Sequence, residues 1–304
     1  MLNPVESFKI EYNRDPVVTS IVPINDRLYL TLSNRGIAKL MNVGSSPDPV
    51  WAAGRISAIE AVNARNDWVV AHTSGGVSRY TREAGNRAVP GTEQCNVVTI
   101  SASQEDGLLY LGGQGLLMRM DYNPRSFRNL EKNIVTYPMQ DDEMIRRISP
   151  LVNHRFVTIM GGRADLWSSE GRIKNLVMLE AGHCLLQLTM HWDKVTTVDS
   201  QGSLMMIDPQ TGEMFRKYCA DKNGPTNHVV DLGEMVATSG ADNQIKLWDM
   251  RATDGLVRTI PMSAKVSALA FGCHKHVITA QLPISGSAPG TITFWRNQKT
   301  PAEA

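Results

Sequence analysis

Residues 240–251 read Gly-Ala-Asp-Asn-Gln-Ile-Lys-Leu-Trp-Asp-Met-Arg. Asp242 and Asn243 are residue types that favour a tight turn, because their side chains bond the local backbone and tolerate left-handed φ angles. From Ile245 to Trp248, apolar and polar residues alternate, which predicts a β-strand with one buried face. The stretch therefore predicts a turn followed by a strand that ends on a large aromatic side chain, Trp248, with Asp249 directly after it.

Six other stretches have the same form, an alternating run that ends on an aromatic or large apolar residue. The separations between consecutive end residues range from 39 to 47 residues. A period of about 40–45 residues is expected of the four-stranded blades of a propeller. The seven end residues are Met41, Tyr80, Met120, Trp167, Ile207, Trp248 and Trp295.

The dipeptide Trp248-Asp249, together with the repeat, resembles the WD repeat of the WD40 β-propeller family. This resemblance implies an all-β fold, a seven-bladed WD40-type β-propeller formed by residues 1–296 as a single domain. Residues 297–304 then form a polar C-terminal tail. The last blade lacks a fourth strand of its own, so the alternating segment Ser7–Tyr12 is expected to pair into it and close the ring.

WD blades often contain a buried network of an Asp in a turn, a His before the first strand, a Ser or Thr, and the end Trp. The resemblance therefore assigns structural roles to Trp248 and Asp242, to His183, which follows Gly182, and to Trp167 and Trp295. No blade contains every member of the network. We therefore expect apolar packing to hold these blades together, with the 15 methionines filling irregular gaps.

The composition excludes several functional classes. The formal net charge is +1, which gives no support for binding nucleic acid through the overall charge. The early charges exclude a signal peptide, and no apolar run reaches the length of a membrane span. The four cysteines have no metal-site spacing, and Cys273-His-Lys-His276 is interpreted as a turn. We expect an intracellular protein of the cytoplasm or nucleus, with no membrane insertion.

Motifs for catalysis are missing from the sequence. It contains no GxSxG, HExxH, Walker or GxGxxG motif ahead of a helix. The glycine pairs lie in turns, where glycine supplies positive φ. The sequence therefore predicts a protein that is not an enzyme, with no cofactor, no metal site and no small-molecule substrate.

The family resemblance implies a scaffold for protein–protein interaction that works as a subunit of a larger complex, of the nuclear pore or coat, RNA-processing or export, or checkpoint type. Loops on a rigid scaffold commonly carry binding specificity. The two longest interruptions of the strand pattern, residues 121–143 and 282–290, are therefore the candidate partner sites. Their candidate residues are Arg125, Arg128, Arg146 and Arg147 in or after the first, and Pro283 and Ile284 in the second. The acidic run Asp141–Glu143 is expected to be a solvated loop neutralised by Arg146 and Arg147.

Two alternatives remain open. The segment Trp248-Asp249-Met250-Arg251 matches the WDxR pattern of propellers that serve as substrate receptors for cullin–RING ubiquitin ligases, in which the Arg contacts the adaptor. This resemblance makes Arg251 and Asp249 candidate partner-binding residues. The other alternative is an RNA-binding subunit. It would use Arg125, Arg128, Lys132, Arg146 and Arg147, and its affinity would depend on salt.

Overall fold

Regular structure in this protein is β-sheet, and the described residues contain no α-helix. The computed structural model describes residues 2–9, 17–25, 28–33, 38–42, 55–62, 68–81, 85–103, 106–122, 134–272, 276–282 and 290–297. Candidate residues Arg125, Arg128, Pro283 and Ile284, with Lys132, lie outside these ranges.

The strands form seven separate antiparallel sheets. Six of them are built from consecutive segments of the chain, and the seventh combines the last three strands with the N-terminal strand. We number the sheets as blades in chain order. Blade 1 contains β2 (Val18–Pro23), β3 (Leu28–Ser33) and β4 (Ala38–Asn42). Blade 2 contains β5 (Ile56–Ala61), β6 (Trp68–His72), β7 (Val77–Thr81) and β8 (Gly85–Ala88). Blade 3 contains β9 (Val97–Ser103), β10 (Leu108–Gly113), β11 (Leu116–Asp121) and β12 (Ile134–Thr136).

The second half of the chain repeats this arrangement. Blade 4 contains β13 (Arg147–Pro150), β14 (Phe156–Met160), β15 (Arg163–Ser168) and β16 (Gly171–Met178). Blade 5 contains β17 (Leu185–His191), β18 (Lys194–Asp199), β19 (Ser203–Ile207) and β20 (Met214–Cys219). Blade 6 contains β21 (Thr226–Asp231), β22 (Val236–Gly240), β23 (Gln244–Trp248) and β24 (Leu256–Pro261). Blade 7 contains β25 (Val266–Gly272), β26 (His276–Gln281), β27 (Thr291–Asn297) and β1 (Leu2–Lys9).

The number of complete blades differs from the predicted seven. Six sheets have four strands, whereas the sheet of blade 1 has three in the described residues. The seven end residues of the repeat all lie in the third strand of their sheet. The repeat period therefore located the third strands correctly, but it did not report how many strands each sheet contains.

The N-terminal strand closes the ring as predicted, with different boundaries. β1 pairs antiparallel with β27 from Leu2 opposite Asn297 to Lys9 opposite Thr291. Of the predicted segment Ser7–Tyr12, residues 7–9 lie in this strand and 10–12 lie outside the described residues. Asn297, where the polar tail is predicted to begin, is the last residue of β27.

Local sequence explains the tight hairpins. Asn153 and His154 connect β13 to β14 with φ angles of 59° and 56°, and Asn243 has a φ of 56° between β22 and β23. Two consecutive left-handed residues match the right-handed twist of the flanking strands, and Asn adopts that conformation readily. The turn that contains Asn243 is at the position predicted from Asp242 and Asn243.

The core lies between neighbouring blades. Tyr110 of blade 3 packs against Phe156 of blade 4, with ring centroids 4.6 Å apart, and Phe156 stacks on Trp167. Between blades 5 and 6, buried Leu204 and Met206 join Trp248 in one cluster. Each blade thus buries its apolar side chains against the next one, which holds the ring rigid.

Antiparallel connectivity gives the propeller two faces. The turns from first to second strand and from third to fourth strand lie on one face, which we call the far face. The turns from second to third strand and the links between blades lie on the other, which we call the mouth face. Residues 192–193 therefore lie on the far face, and Met144 and Lys265 on the mouth face.

Candidate functional site at the channel mouth

Three of the predicted structural residues form the same hydrogen bond in three blades. Each indole is buried, and its Nε1 donates to a threonine hydroxyl on the second strand. The threonine lies two residues from the residue opposite the tryptophan, a diagonal neighbour within reach of a large side chain. The pairs are Trp167 with Thr158 (2.9 Å), Trp248 with Thr238 (2.8 Å) and Trp295 with Thr279 (3.0 Å).

Asp242 and His183 take part in different contacts. Asp242 accepts from the backbone N–H of Gln244 at 3.2 Å and pairs with Lys246. Its own N–H donates to buried Asp221 at 2.9 Å. His183 is half-buried beside a cavity of 440 Å³ between blades 3, 4 and 5. Sequence analysis missed Asp221, which also accepts from the N–H of Asn223.

The first strand of each of the seven sheets contributes to the lining of a central channel of about 390 Å³. In six of them the pairing with the second strand shifts register near the mouth end, for example between Ile56 and Ala58 and between Thr226 and His228. Such a bulge inserts one extra residue and re-aims the adjacent side chains. The repeated bulges therefore turn polar side chains such as Ser57 and Asn227 toward the channel and its mouth.

A second cavity of about 690 Å³ forms the mouth of this channel. Its lining includes Arg146, Arg147, Lys265 and His228, and it contains no Asp or Glu among the described residues. Arg147 and His228 line both the mouth and the channel, so they lie where the two meet. In the described part of the chain, none of the three cations forms an ion pair.

The expectation that Arg146 and Arg147 neutralise the acidic run is wrong for Glu143. The Glu143 carboxylate pairs with Arg163 at 2.6 Å, and Arg163 also approaches buried Asp165 at 3.0 Å. Arg163 follows the turn between β14 and β15 and therefore reaches Glu143 on the mouth face. Arg163 thus pairs with Glu143, and no ion pair among the described residues contains Arg146 or Arg147.

Proton equilibria reflect the crowding of positive charge in the mouth. Burial, followed by the charges of Arg147 and Lys265, lowers the pKa of His228 to about 4. Withdrawal from bulk water, followed by the charge of Arg146, lowers the pKa of Arg147. Only the smaller part of each shift, which comes from neighbouring positive charge, would be relieved by a bound anion.

Glu60 is the only carboxylate among the described residues that line the channel. Burial raises its pKa to about 8, against the opposing effect of the Ala61 N–H, which donates to Oε1 at 3.2 Å. Near neutral pH this side chain is therefore largely protonated. It does not cancel the positive charge of the mouth.

Arg251 and Asp249 lie on the far face, away from Arg146 and Arg147. The Arg251 guanidinium bonds both carboxylate oxygens of Asp249, at 2.8 and 3.0 Å, and its carbon lies 5.9 Å from the centre of the Trp192 ring. These bonds lower the pKa of Asp249 to about 2. The two predicted residues thus form an intramolecular pair.

The structure joins two predicted residues, Arg146 and Arg147, with two that sequence analysis missed, His228 and Lys265. A signal was present in the sequence. His228 and Arg147 occupy the same place in their blades. Counted inclusively, His228 is the third residue from buried Thr226, and Arg147 is the third residue from buried Ile145. An alignment of the blades by their first strands would have placed both side chains at one ring of the channel.

Two further observations concern the described residues. They contain no cluster of three or more His, Cys, Asp or Glu side chains arranged to hold a metal ion. They also contain no helix with the length and apolar character that crossing a membrane requires.

Comparison with known proteins supports the architecture. No protein-family model matches the chain, and no curated protein matches it either. Among solved structures, the crystal structure of the WD40 β-propeller domain of Doa1 is similar to this chain, with a TM-score of 0.74 at 13% sequence identity, over 98% of each chain. At this identity the likeness shows the fold alone, an all-β WD40-type β-propeller.

Proposed function

We propose that this WD40-type propeller is a non-enzymatic scaffold that binds an acidic segment of a partner protein at the channel mouth. The single observation that carries the proposal is the concave mouth with Arg146, Arg147 and Lys265 and no lining carboxylate in the described residues. A rigid ring holds these cations in place before binding, so the partner meets a preorganised site.

The finer features of the scaffold are also proposals. The three-stranded blade 1 completes a seven-bladed ring, and the propeller forms one domain that ends at or after Asn297. The protein works inside the cell, in the cytoplasm or nucleus, as a subunit of a multiprotein complex. Fold-level analogy supports these features, but it does not select a type of complex.

Binding at the mouth is favoured over the two alternative functions because the cations of the mouth are unpaired in the described residues and lie around one cavity. Arg251, which a ligase-receptor role would require, is already bonded to Asp249. RNA binding requires cations spread along a phosphate backbone, whereas Arg146, Arg147 and Lys265 converge on one cavity. A short acidic peptide segment fits this concave arrangement better than a nucleic-acid strand.

The test is purification of the tagged protein with its partners from its own cells, comparing wild type with the Arg146→Glu/Arg147→Glu double variant. The matched control is Arg87→Glu/Lys217→Glu, which reverses two exposed cations on outer strands. We expect partner proteins to be lost from the mouth variant and kept by the control and after ribonuclease treatment. An unchanged partner set in the mouth variant would refute the proposal, and loss on ribonuclease treatment would favour RNA.

A further inference from the structure

Four turns of blades 5 and 6 meet on the far face. They are the two first-to-second-strand turns, 192–193 and 232–235, and the two third-to-fourth-strand turns, 208–213 and 249–255. All four belong to this face because they lie at the same end of antiparallel strands. We call this surface the blade 5/6 far face.

Side-chain contacts join these turns into one surface. The Lys194 ammonium bonds Asp193 at 2.8 Å and Asp208 at 3.0 Å, which links the two turns of blade 5. His191 Nδ1 lies 2.6 Å from Asp231 Oδ1, which links blade 5 to blade 6. The Asp231 carboxylate also accepts from the N–H of Gly233 at 3.0 Å, inside the neighbouring turn. The four turns are therefore held in a fixed relative position.

Trp192 is an exposed aromatic side chain held in an unfavourable backbone conformation. Its φ is 55°, and 49% of its surface is exposed to solvent. Large residues rarely adopt positive φ, and they do so mainly where the surrounding structure or a function requires it. Asn243 adopts the same φ in another turn, with a side chain suited to it. The tryptophan thus adds exposed apolar area where the turn itself would favour Asn or Gly.

The Trp192 ring rests on a rigid support. The buried His191 ring lies 4.1 Å away, centroid to centroid, and Arg251 lies over the indole at 5.9 Å. The Nε2 atom of His191 is buried and has no hydrogen-bond partner within the described residues. A supported, exposed Trp next to an Arg is the combination found at the energetic centres of protein interfaces.

Acidic residues surround this ring. Across residues 191–194, 208–213, 231–235 and 249–255 there are seven carboxylates and two cations. Both cations, Lys194 and Arg251, are already bonded to carboxylates. The carboxylates are Asp193, Asp208, Glu213, Asp231, Glu234, Asp249 and Asp254. A third cation, Lys174 of blade 4, donates to the Gln210 carbonyl in this surface. With seven carboxylates against three cations the surface still carries a net negative charge, which repels nucleic acid and attracts a basic ligand.

Exposed apolar side chains begin the outer strands directly after the two longer turns. Met214 and Phe215 begin β20, and Leu256 and Val257 begin β24. Each of the four is between 47% and 57% exposed. The Tyr218 hydroxyl donates to the Ala252 carbonyl at 2.6 Å and so ties β20 to the turn before β24. Apolar area thus borders the charged turns on their outer side.

We propose that the blade 5/6 far face binds a basic segment of a partner protein, with an apolar side chain of that segment packed on Trp192. The inference goes beyond the proposed function, because it concerns another surface and a ligand of opposite charge. Charge complementarity selects the occupant, and the apolar border explains why its contact includes more than ion pairs.

The experiment measures binding of purified full-length protein to a fluorescein-labelled peptide of alternating Lys or Arg and Leu or Phe, by fluorescence anisotropy. We expect Trp192→Asn to bind about tenfold more weakly, since it removes the aromatic contact while Asn suits the turn. Asp193→Asn/Glu234→Gln should weaken binding about fivefold through lost attraction. The control Glu170→Gln, in a far-face turn of blade 4, should match wild type.

Outcomes that contradict this inference are separable from failure of the mouth proposal. Absence of wild-type binding, or equal binding by Trp192→Asn with an unchanged unfolding transition, overturns it. Equal affinity for a peptide with Ser in place of Leu and Phe overturns the apolar contact. Concentration-dependent self-association in sedimentation, abolished in Trp192→Asn, would identify a second copy of the chain as the occupant instead. The mouth proposal is judged by the acidic partner alone, so each can fail without the other.

Discussion

The channel mouth and the blade 5/6 far face place their charges in opposite ways. At the mouth, Arg146, Arg147 and Lys265 have no ion-pair partner in the described residues. On the far face, the cations Lys194 and Arg251 are bonded to carboxylates that outnumber them. An exposed arginine therefore indicates a binding site for an anion only where no carboxylate of the same chain pairs with it. Arg251 is neutralised, whereas Arg147 keeps its charge available.

Replacement of the channel residue Glu60 should give the largest effect, because burial raises the pKa of its carboxyl strongly. The pKa of Glu60 is raised from 4.5 to about 8, so the folded state holds a proton that the unfolded chain releases. Stability is therefore lost as the pH rises from 4.5 to 8. We expect Glu60→Gln to raise the free energy of unfolding at pH 8 by on the order of 3 kcal/mol, with no gain near pH 4. Urea unfolding at several pH values measures this, with Glu170→Gln as control.

His228 should act at the acid end of the same region. Its pKa is lowered from 6.5 to about 4, so the unfolded chain binds a proton that the folded protein resists. Stability is fully present above pH 6.5 and falls as the pH drops toward 4. Between pH 6.5 and 4, we expect the free energy of unfolding of His228→Gln to fall by on the order of 2 kcal/mol less than that of wild type. Identical acid limbs for variant and wild type in urea unfolding would contradict it.

Removal of the Asp231 carboxylate, which holds the turns of the blade 5/6 far face together, should leave binding at the mouth unchanged. Asp231→Ala removes the contact with buried His191 and the acceptor for the N–H of Gly233. We expect a loss of about 1–2 kcal/mol in the free energy of unfolding, because the buried His191 ring loses its hydrogen-bond partner. Affinity for the basic peptide should fall, and affinity for an acidic peptide should not. Equal losses at both surfaces would show that the two regions are not independent.

Salt should distinguish the two surfaces. Between about 0.05 M and about 0.5 M salt, we expect the acidic peptide to lose roughly tenfold in affinity for the mouth, since unpaired charges provide most of the attraction. The basic apolar peptide should lose only about threefold, since the contact with Trp192 is insensitive to screening. Fluorescence anisotropy titrations provide both values. A larger loss of affinity for the basic peptide than for the acidic peptide would contradict this difference between the two surfaces.

Arg251→Ala should have the smallest effect. The pair with Asp249 is exposed, and exposed ion pairs contribute little to stability. We expect an unchanged thermal midpoint within experimental error, and a small change in basic-peptide binding through the loss of the contact with Trp192. Thermal unfolding and anisotropy check both expectations. Loss of a cullin adaptor from the purified complex would instead support the receptor alternative.

Much of the fold was predictable because it is encoded locally. The alternation that ends at Trp248, the turn at Asn153-His154 and the repeat period all depend on neighbouring residues, and each agrees with a strand or turn of the structure. Blade completeness was not predictable in this way. A three-stranded and a four-stranded sheet share the same third strand, so the period alone cannot distinguish them.

The candidate sites depend on contacts between distant segments. Sequence analysis identified Arg146 and Arg147 and expected them to neutralise the acidic run, but Glu143 pairs with Arg163. It selected Arg251 by motif, and missed that Trp192 of another blade lies beneath it. In both cases the contact partner, Arg163 or Trp192, is distant in the sequence and is brought close by the folding of the ring.

The sequence by itself determined the β-strand repeat, the turn positions and the likeness to WD propellers, because hydrophobic alternation and turn chemistry act over a few residues. Only the tertiary structure decided where charge is paired and where it is left uncompensated. Closure of the ring brings His228 and Lys265 to Arg147, and sets Arg251 over Trp192. Electrostatic interactions act through space, so their balance follows from the distance between blades and not from the order of residues along the chain.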